Sequence, residues 1–317
     1  MNAFDPGRVR LRLQLDGSRI AGVDLASERP KIERALRGRL ADEVVRLVPL
    51  LYAVCGRAQG SAAELALAAA RGELRNPALE PTVAAEAMRE HLWRWLLDLP
   101  GHLGLEALKA EFAGANSCLA DGRRADLSGL LAIPRVGALR AALAARSPDT
   151  RVPCRLLPVL DAAASLECWP RLDEALCRQP TWQGGAAETG ALARCKAAAG
   201  GLAARWQARL DEVSAWCEGS LGVGAAGTAS AVPVAPGIGR AAVQTARGLL
   251  LHEVVLDCDR VADYFIVAPT EWNFHPEGPL AAWLQGRSAA DRETLRREVS
   301  LAVASFDPCV GWELEGL

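Results

Sequence analysis

The chain has 317 residues, half of them hydrophobic and 23% charged, which excludes a disordered or fibrous polypeptide. Lys and Arg (36) nearly balance Asp and Glu (38), so the net charge of −2 gives no basic footprint for nucleic acid or an anionic membrane. Nine cysteines, none in a CxxC pair, argue against a disulfide framework or a zinc ribbon.

The first residues, MNAFDPGRVRLRLQLDG, carry no apolar core of signal-peptide length, which points to a cytoplasmic protein. Val9, Leu11, Leu13 and Leu15 alternate with Arg10, Arg12 and Gln14. Asp16-Gly17 then marks a tight turn before Ile20, Val23 and Leu25, so residues 8–25 read as a hairpin with one buried face. Residues 28–54 read as a helix, with Ile32, Leu36, Leu40 and Val44 on one stripe. From 61 to 217 the pattern is mostly helical. Ser61 caps an alanine-rich helix reaching about Arg71, and Glu86–Leu97 forms another that stops by Pro100-Gly101. A buried stripe from Leu192 to Cys217 predicts a long helix over 186–217, kinked at Gly200-Gly201.

The stretch 219–239, rich in Gly, Ala, Val and Pro, reads as a loop. Leu249–Leu256 and Val261–Val267 flank an Asp257-Cys258-Asp259 turn, a second hairpin. Asp291–Phe306 is a closing helix with Leu295, Val299, Ala302 and Phe306 in phase. The two hairpins, from opposite ends of the chain, are candidates for one shared sheet. No apolar run reaches the ~18 residues of a spanning helix. No internal repeat is visible. The expectation is one α+β, mostly helical domain over 1–317.

Chemistry-bearing patterns are sparse. The four histidines form no metal-binding pair, and there is no phosphate loop, dinucleotide fingerprint or nucleophile elbow. Cys55-Gly56 follows an apolar helix, and Asp307-Pro308-Cys309 follows the last one, where Pro308 imposes extended backbone. From the residues alone, both cysteines are open as ligands or as buried structural thiols.

Six short stretches, in order, resemble the large subunit of nickel–iron hydrogenases. Glu33 with Leu36-Arg37-Gly38-Arg39 is similar to that family's R-G-F-E…G-R segment, and Cys55-Gly56-Arg57-Ala58 to its C-G-x-C motif. Glu188-Thr189-Gly190-Ala191-Leu192-Ala193-Arg194 resembles E-x-G-P-L-A-R, and Ala246-Arg247-Gly248 with Leu249 and His252 resembles A-P-R-G-x-L-x-H. Pro269-Thr270-Glu271-Trp272-Asn273 resembles P-T-x-W-N, and Asp307-Pro308-Cys309 resembles D-P-C-x-x-C. Arg247 and Thr270 stand 23 residues apart, close to the family's separation.

The departures are selective. Where the family has the second cysteine of each motif, which bridges nickel and iron, this chain has Ala58 and Trp312. The family histidines become Ala62 and Glu315. Only Cys55 and Cys309, at the terminal-ligand positions, remain. The resemblance implies no nickel, no bridged metal pair and no hydrogen activation. It also implies that Arg247 and Thr270 donate to the cyanides of an iron unit, with Ala246, Pro269, Asp307 and Glu33 around the same pocket. A metal-bound cyanide nitrogen is a strong acceptor that a guanidinium and a hydroxyl satisfy. Soft thiolates suit low-spin iron.

This pattern resembles hydrogenase assembly proteins of the HupK/HoxV branch. That branch implies a scaffold for an Fe(CN)2(CO) unit, a HypC-type chaperone as partner and a large-subunit precursor as recipient, without nucleic acid or membrane. Two other readings stay open: a metal-free protein that docks chaperones, and a minimal atypical hydrogenase. Arg247 is open as a donor or as a partner of Glu253, Thr270 as a donor or a turn residue, and Trp312 as a cap or a core residue. Glu33 is open as a pocket group or an i,i+4 partner of Arg37.

Overall fold

The computed structural model describes residues 7–52, 54–73, 79–146, 152, 154–158, 166–195, 200–221 and 224–317. Strands β1 (Arg8–Asp16) and β2 (Arg19–Glu28) form the first hairpin, with Val9, Leu11 and Leu13 buried. A one-residue register shift lies opposite Gln14 and Leu15. That bulge puts Ile20 and Leu25, an odd number of residues apart, on the same buried side.

The second half of the expected 28–54 helix is α1 (Ala41–Leu51); before it, Ile32–Leu36 is a single 3-10 turn. The break falls at Gly38-Arg39, whose backbone pairs with Val261 in both directions, so β-type contacts interrupt the helical stripe. Helix α2 (Gly56–Ala70) begins one residue after Cys55 rather than at Ser61.

Helix α3 (Pro81–Trp93) does not stop at Pro100-Gly101. It runs through one π-turn, Arg94–Asp98, into α4 (Leu99–His102). Helices α5 (Lys109–Ala120), α6 (Arg124–Leu131) and α7 (Pro134–Arg146) follow. The predicted 186–217 helix is instead a two-residue strand β4 (Ala187–Glu188), paired with β3 (Arg155–Leu156), and two further helices. Counting α8 (Glu174–Arg178) before them, these are α9 (Ala191–Arg194) and α10 (Leu202–Glu218). Gly201 is the N-cap of α10, not a kink inside it.

The expected loop at 219–239 is strand from Ala229 onward. Strands β5 (Ala229–Ala235), β6 (Ile238–Thr245), β7 (Gly248–Asp257) and β8 (Arg260–Val267) form an antiparallel meander. Pro233 is tolerated because β5 is an edge strand. Helix α2 lies on one face of this sheet, and its alanines allow a close approach. A Cβ at Gly239 would stand 2.1 Å from the Ala66 carbonyl oxygen. The other face meets Trp169 and Trp272.

After α11 (Pro269–Asn273) and α12 (Pro279–Leu284), α13 (Arg292–Phe306) is capped by Asp291, which accepts from the backbone N–H groups of Glu293 and Thr294. Strand β9 (Gly311–Glu315) then joins β1 in parallel, giving a sheet of order β2-β1-β9. The two hairpins therefore belong to separate sheets. The N-terminal one is completed by the C-terminal strand. The architecture is α+β with helices predominant. Among the described residues no single helix is long and apolar enough to cross a membrane.

Candidate functional site

Cys55 and Cys309 line one cavity of about 670 Å³, although they are 254 residues apart in sequence (309 − 55). Cys55 is the N-cap residue of α2. Its sulfur accepts from Gln59 Nε2 at 3.7 Å, one turn along the helix. Gln59 Oε1 in turn lies 2.9 Å from His252 Nε2, and His252 Nδ1 lies 2.8 Å from the Tyr264 hydroxyl. The chain has one consistent direction: Tyr264 O–H to His252, His252 N–H to the amide oxygen, amide N–H to sulfur. Burial pushes His252 down to about 3, so its ring is neutral, as this direction requires.

The free end of α2 is occupied by Glu86, which accepts from the backbone N–H groups of Arg57 and Ala58 at 2.9 and 3.1 Å. Cys55 does not have that helix terminus to itself. Burial, then the neighbouring Cys309, pushes the Cys55 thiol up to about 12, against the pull of Arg247 and Gln59. Without a metal Cys55 is therefore a protonated thiol, and any metal that bound there would have to displace that proton.

Cys309 follows the C-terminal end of α13. Asp307, the C-cap, has φ +55, a left-handed conformation uncommon outside glycine. Its buried carboxylate stands 2.6 Å from Arg94 Nε and 3.2 Å from Arg247 Nε. These contacts are ion pairs rather than aligned hydrogen bonds, since none of these atoms meets hydrogen-bond geometry. Burial resists ionisation of Asp307, but Arg247, Arg94 and Arg209 overcome it and hold the carboxyl well below its ordinary range. The π-turn that starts at Arg94 aims this residue at the loop, where it also donates to the Pro308 carbonyl at 3.2 Å. Thr270, in the first turn of α11, lies 3.0 Å from the Cys309 sulfur and accepts from the Cys309 backbone N–H at 3.3 Å. It is both a turn residue after Pro269 and a sulfur partner.

Arg247 does not line the cavity itself, although its charge acts on both Cys55 and Cys309. Its guanidinium is buried between Glu90, 3.1 Å away, and Asp307. It does not meet Glu253, which pairs with Arg240 and Arg171. The motif segments interlock around it. Asn273 receives the Thr189 N–H and donates to the Arg247 carbonyl, and Thr189 Oγ1 accepts from Leu249 N–H. A Cβ at Gly248 would stand 2.3 Å from the Thr189 methyl, at φ +131, so only glycine fits. The Ala246 carbonyl accepts from Arg194 at 3.3 Å.

Glu33 lines the cavity, and burial raises its carboxyl above the usual range. Arg37 pairs with Asp263 instead. Ala58 is buried in the core beneath the meander. Trp312 packs on the helical core and lines a separate depression with Arg94 and His102. It does not cap the thiols.

A search of curated proteins finds a hydrogenase expression/formation protein HoxV of Cupriavidus necator, 32% identical over 96% of this chain and 95% of the relative. The chain belongs to the HoxV/HupK family of hydrogenase expression/formation proteins. HupK proteins of Bradyrhizobium diazoefficiens (33%, 97% of this chain, 96% of the relative) and Azotobacter vinelandii (34%, 98% of each) are similarly close. The nickel-dependent hydrogenase family model matches residues 225–312, from just before β5 to Trp312. Solved Ni-Fe-Se hydrogenases of D. vulgaris Hildenborough and Desulfomicrobium baculatum share the fold, with TM-scores of 0.63 and 0.64 at 14% identity over 94% of this chain and 95% of each of theirs.

Several residues of this HoxV/HupK site had no role assigned from the sequence. Arg29, Glu271 and Tyr52 line the thiol cavity, and Gln59 and Glu86 set the Cys55 end. Gln59 sits one turn from Cys55, a spacing that the helix alone makes a contact. Glu86 reaches α2 from another helix, and no local pattern announces it.

Proposed function

We propose that this family member is a non-catalytic carrier in hydrogenase maturation. It holds an Fe(CN)2(CO) unit as cargo through Cys55 and Cys309 and passes it to a hydrogenase large-subunit precursor in the cytoplasm. A HypC-type chaperone supplies the cargo. The observation that supports this reading is that Cys55 and Cys309 face one cavity, and that other groups lining it, the Cys177 thiol and the Glu33 and Glu271 carboxylates, do not join them in a metal-holding group. Among the described residues no group of three or more His, Cys, Asp and Glu is placed to hold a metal. A bare transition-metal ion needs three or four protein ligands. An iron that arrives with its own diatomic ligands needs only a few more, and two thiolates supply them.

The departures from the enzyme pattern support the same reading. Ala58 and Trp312 pack against the cores, so the positions that bear the family's bridging cysteines supply no thiolate. Behind Cys309, Arg94, Arg209 and Arg247 are balanced by Asp307, Glu90 and Asp98, so the cluster holds the loop without adding net charge. Loading releases the Cys55 proton, and unloading takes it back, so the raised Cys55 value favours release.

Infrared spectroscopy with metal analysis tests this on protein purified from a host that assembles hydrogenase. Cyanide and carbonyl bands with iron and without nickel are expected, and both are lost in Cys55→Ala and Cys309→Ala. Nickel in the wild type would indicate a minimal hydrogenase. Metal-free protein that still complements an assembly mutant would indicate a docking protein.

A further inference from the structure

The thiol cavity has a cation of its own. Arg29 follows β2 and lines the cavity with Cys55 and Cys309, its side chain only 18% exposed. Among the described residues its side chain has one ion-pair partner, Glu271, reached from Nη1 alone at 3.3 and 3.4 Å. Ser27, two residues earlier, donates to the same carboxylate at 3.3 Å. Glu271 is next to Thr270, the residue against the Cys309 sulfur. This carboxylate therefore keeps Arg29 folded into the cavity with one nitrogen engaged, while a guanidinium carries five N–H donors. Arg247 has the opposite arrangement. It stands off the cavity wall, and its charge is already met by Glu90 and Asp307.

We propose that Arg29 is the cation that contacts the anionic cyanide-bearing face of the cargo, and that Arg247 holds the Cys309 loop from behind. This rests on the carrier reading and adds a selectivity to it. A guanidinium beside two sulfurs attracts a negatively charged metal complex and repels a bare divalent cation. Burial alone works against the Arg29 charge, and the nearby Cys309, Glu271, Tyr52 and Cys55 more than restore it. The site is thus arranged to prefer iron that already carries cyanide.

Two measurements test the assignment. In protein from an assembling host, Arg29→Met should lower bound iron several-fold and shift the remaining cyanide bands. Arg29→Lys should recover part of the iron but not the band positions. Arg247→Lys should lower the melting temperature with the bands unmoved. Cyanide bands and iron content unchanged in Arg29→Met overturn the assignment alone, whereas a wild type without cyanide bands overturns the carrier reading and this assignment together. The second measurement needs no cargo: zinc(II) binding to the metal-free protein, read by competition with a chromophoric chelator. Zinc affinity should rise several-fold in Arg29→Met and stay near wild type in Arg29→Lys. Equal zinc affinity in the wild type and Arg29→Met also overturns the assignment.

Discussion

The two thiols face one cavity but are held by opposite physics. Cys55 stands at the head of a helix pressed on a four-stranded sheet, and its sulfur is fixed by a neutral relay through Gln59, His252 and Tyr264. Cys309 stands on a loop fixed by charge: Asp307 in a left-handed conformation, paired with Arg94 and Arg247. A relay of neutral groups sets direction and tolerates changes in salt or nearby charge. A buried ion cluster is strong while complete and costly when one member is lost.

The comparison is broken most severely by removing the central charge. Asp307→Asn leaves the buried Arg247 and the partly exposed Arg94 without their shared partner, only Glu90 and Asp98 remaining, and about 3 kcal/mol of stability should be lost. Urea denaturation measures this, and an Asp307→Asn protein as stable as the wild type would mean that charge does not hold the Cys309 half.

The neutral half is sharpened by acid. An exposed imidazole titrates near 6.5, whereas burial sets His252 at about 3. Below pH 6.5 the unfolded chain takes up a proton that folded His252 refuses, so stability falls as pH drops. His252 contributes about 2 kcal/mol of this loss between pH 6.5 and 5. His252→Gln should flatten the stability curve by that amount, measured as denaturation midpoints across pH. Curves of equal slope would mean that His252 is charged in the fold.

A smaller effect isolates the Cys309 contact itself. Thr270→Val removes the hydroxyl that accepts the Cys309 N–H and should cost about 1 kcal/mol. Amide exchange at Cys309 should quicken while exchange within α2 is unchanged. Exchange that quickens equally in both places would mean that the halves are coupled. The smallest effect lies outside both. Arg12→Ala removes a solvent-exposed pair with Glu315, and the denaturation midpoint should not move.

The first hairpin and α13 were legible in the sequence because each carries its own signals, Asp16-Gly17 in one and the phased Leu295, Val299, Ala302 and Phe306 in the other. The 219–239 segment was not, because small residues with Pro233 look like a loop unless the neighbouring strands are known. The helix expected through Gly38 failed for a similar reason: Gly38 and Arg39 exchange hydrogen bonds with Val261, more than two hundred residues on. The joining of Cys55 to Cys309 was reached through family resemblance and by no local rule. That resemblance brought Arg247 forward, and the structure shows it buried between Glu90 and Asp307. Arg29 had no signal, because its role depends on Glu271 arriving from a distant helix.

The parallel pairing of β9 with β1 has a consequence in time. During synthesis β1 has an open edge until residues 311–315 emerge, long after Cys55 and its helix have been made. At ~5–20 residues per second the intervening chain takes roughly 10–50 s to produce. Closing so long a loop is also entropically the most demanding contact in the fold. Of the pair Cys55 and Cys309, a nascent chain on the ribosome therefore presents Cys55 first, and Cys309 joins it only as the C-terminal segment docks.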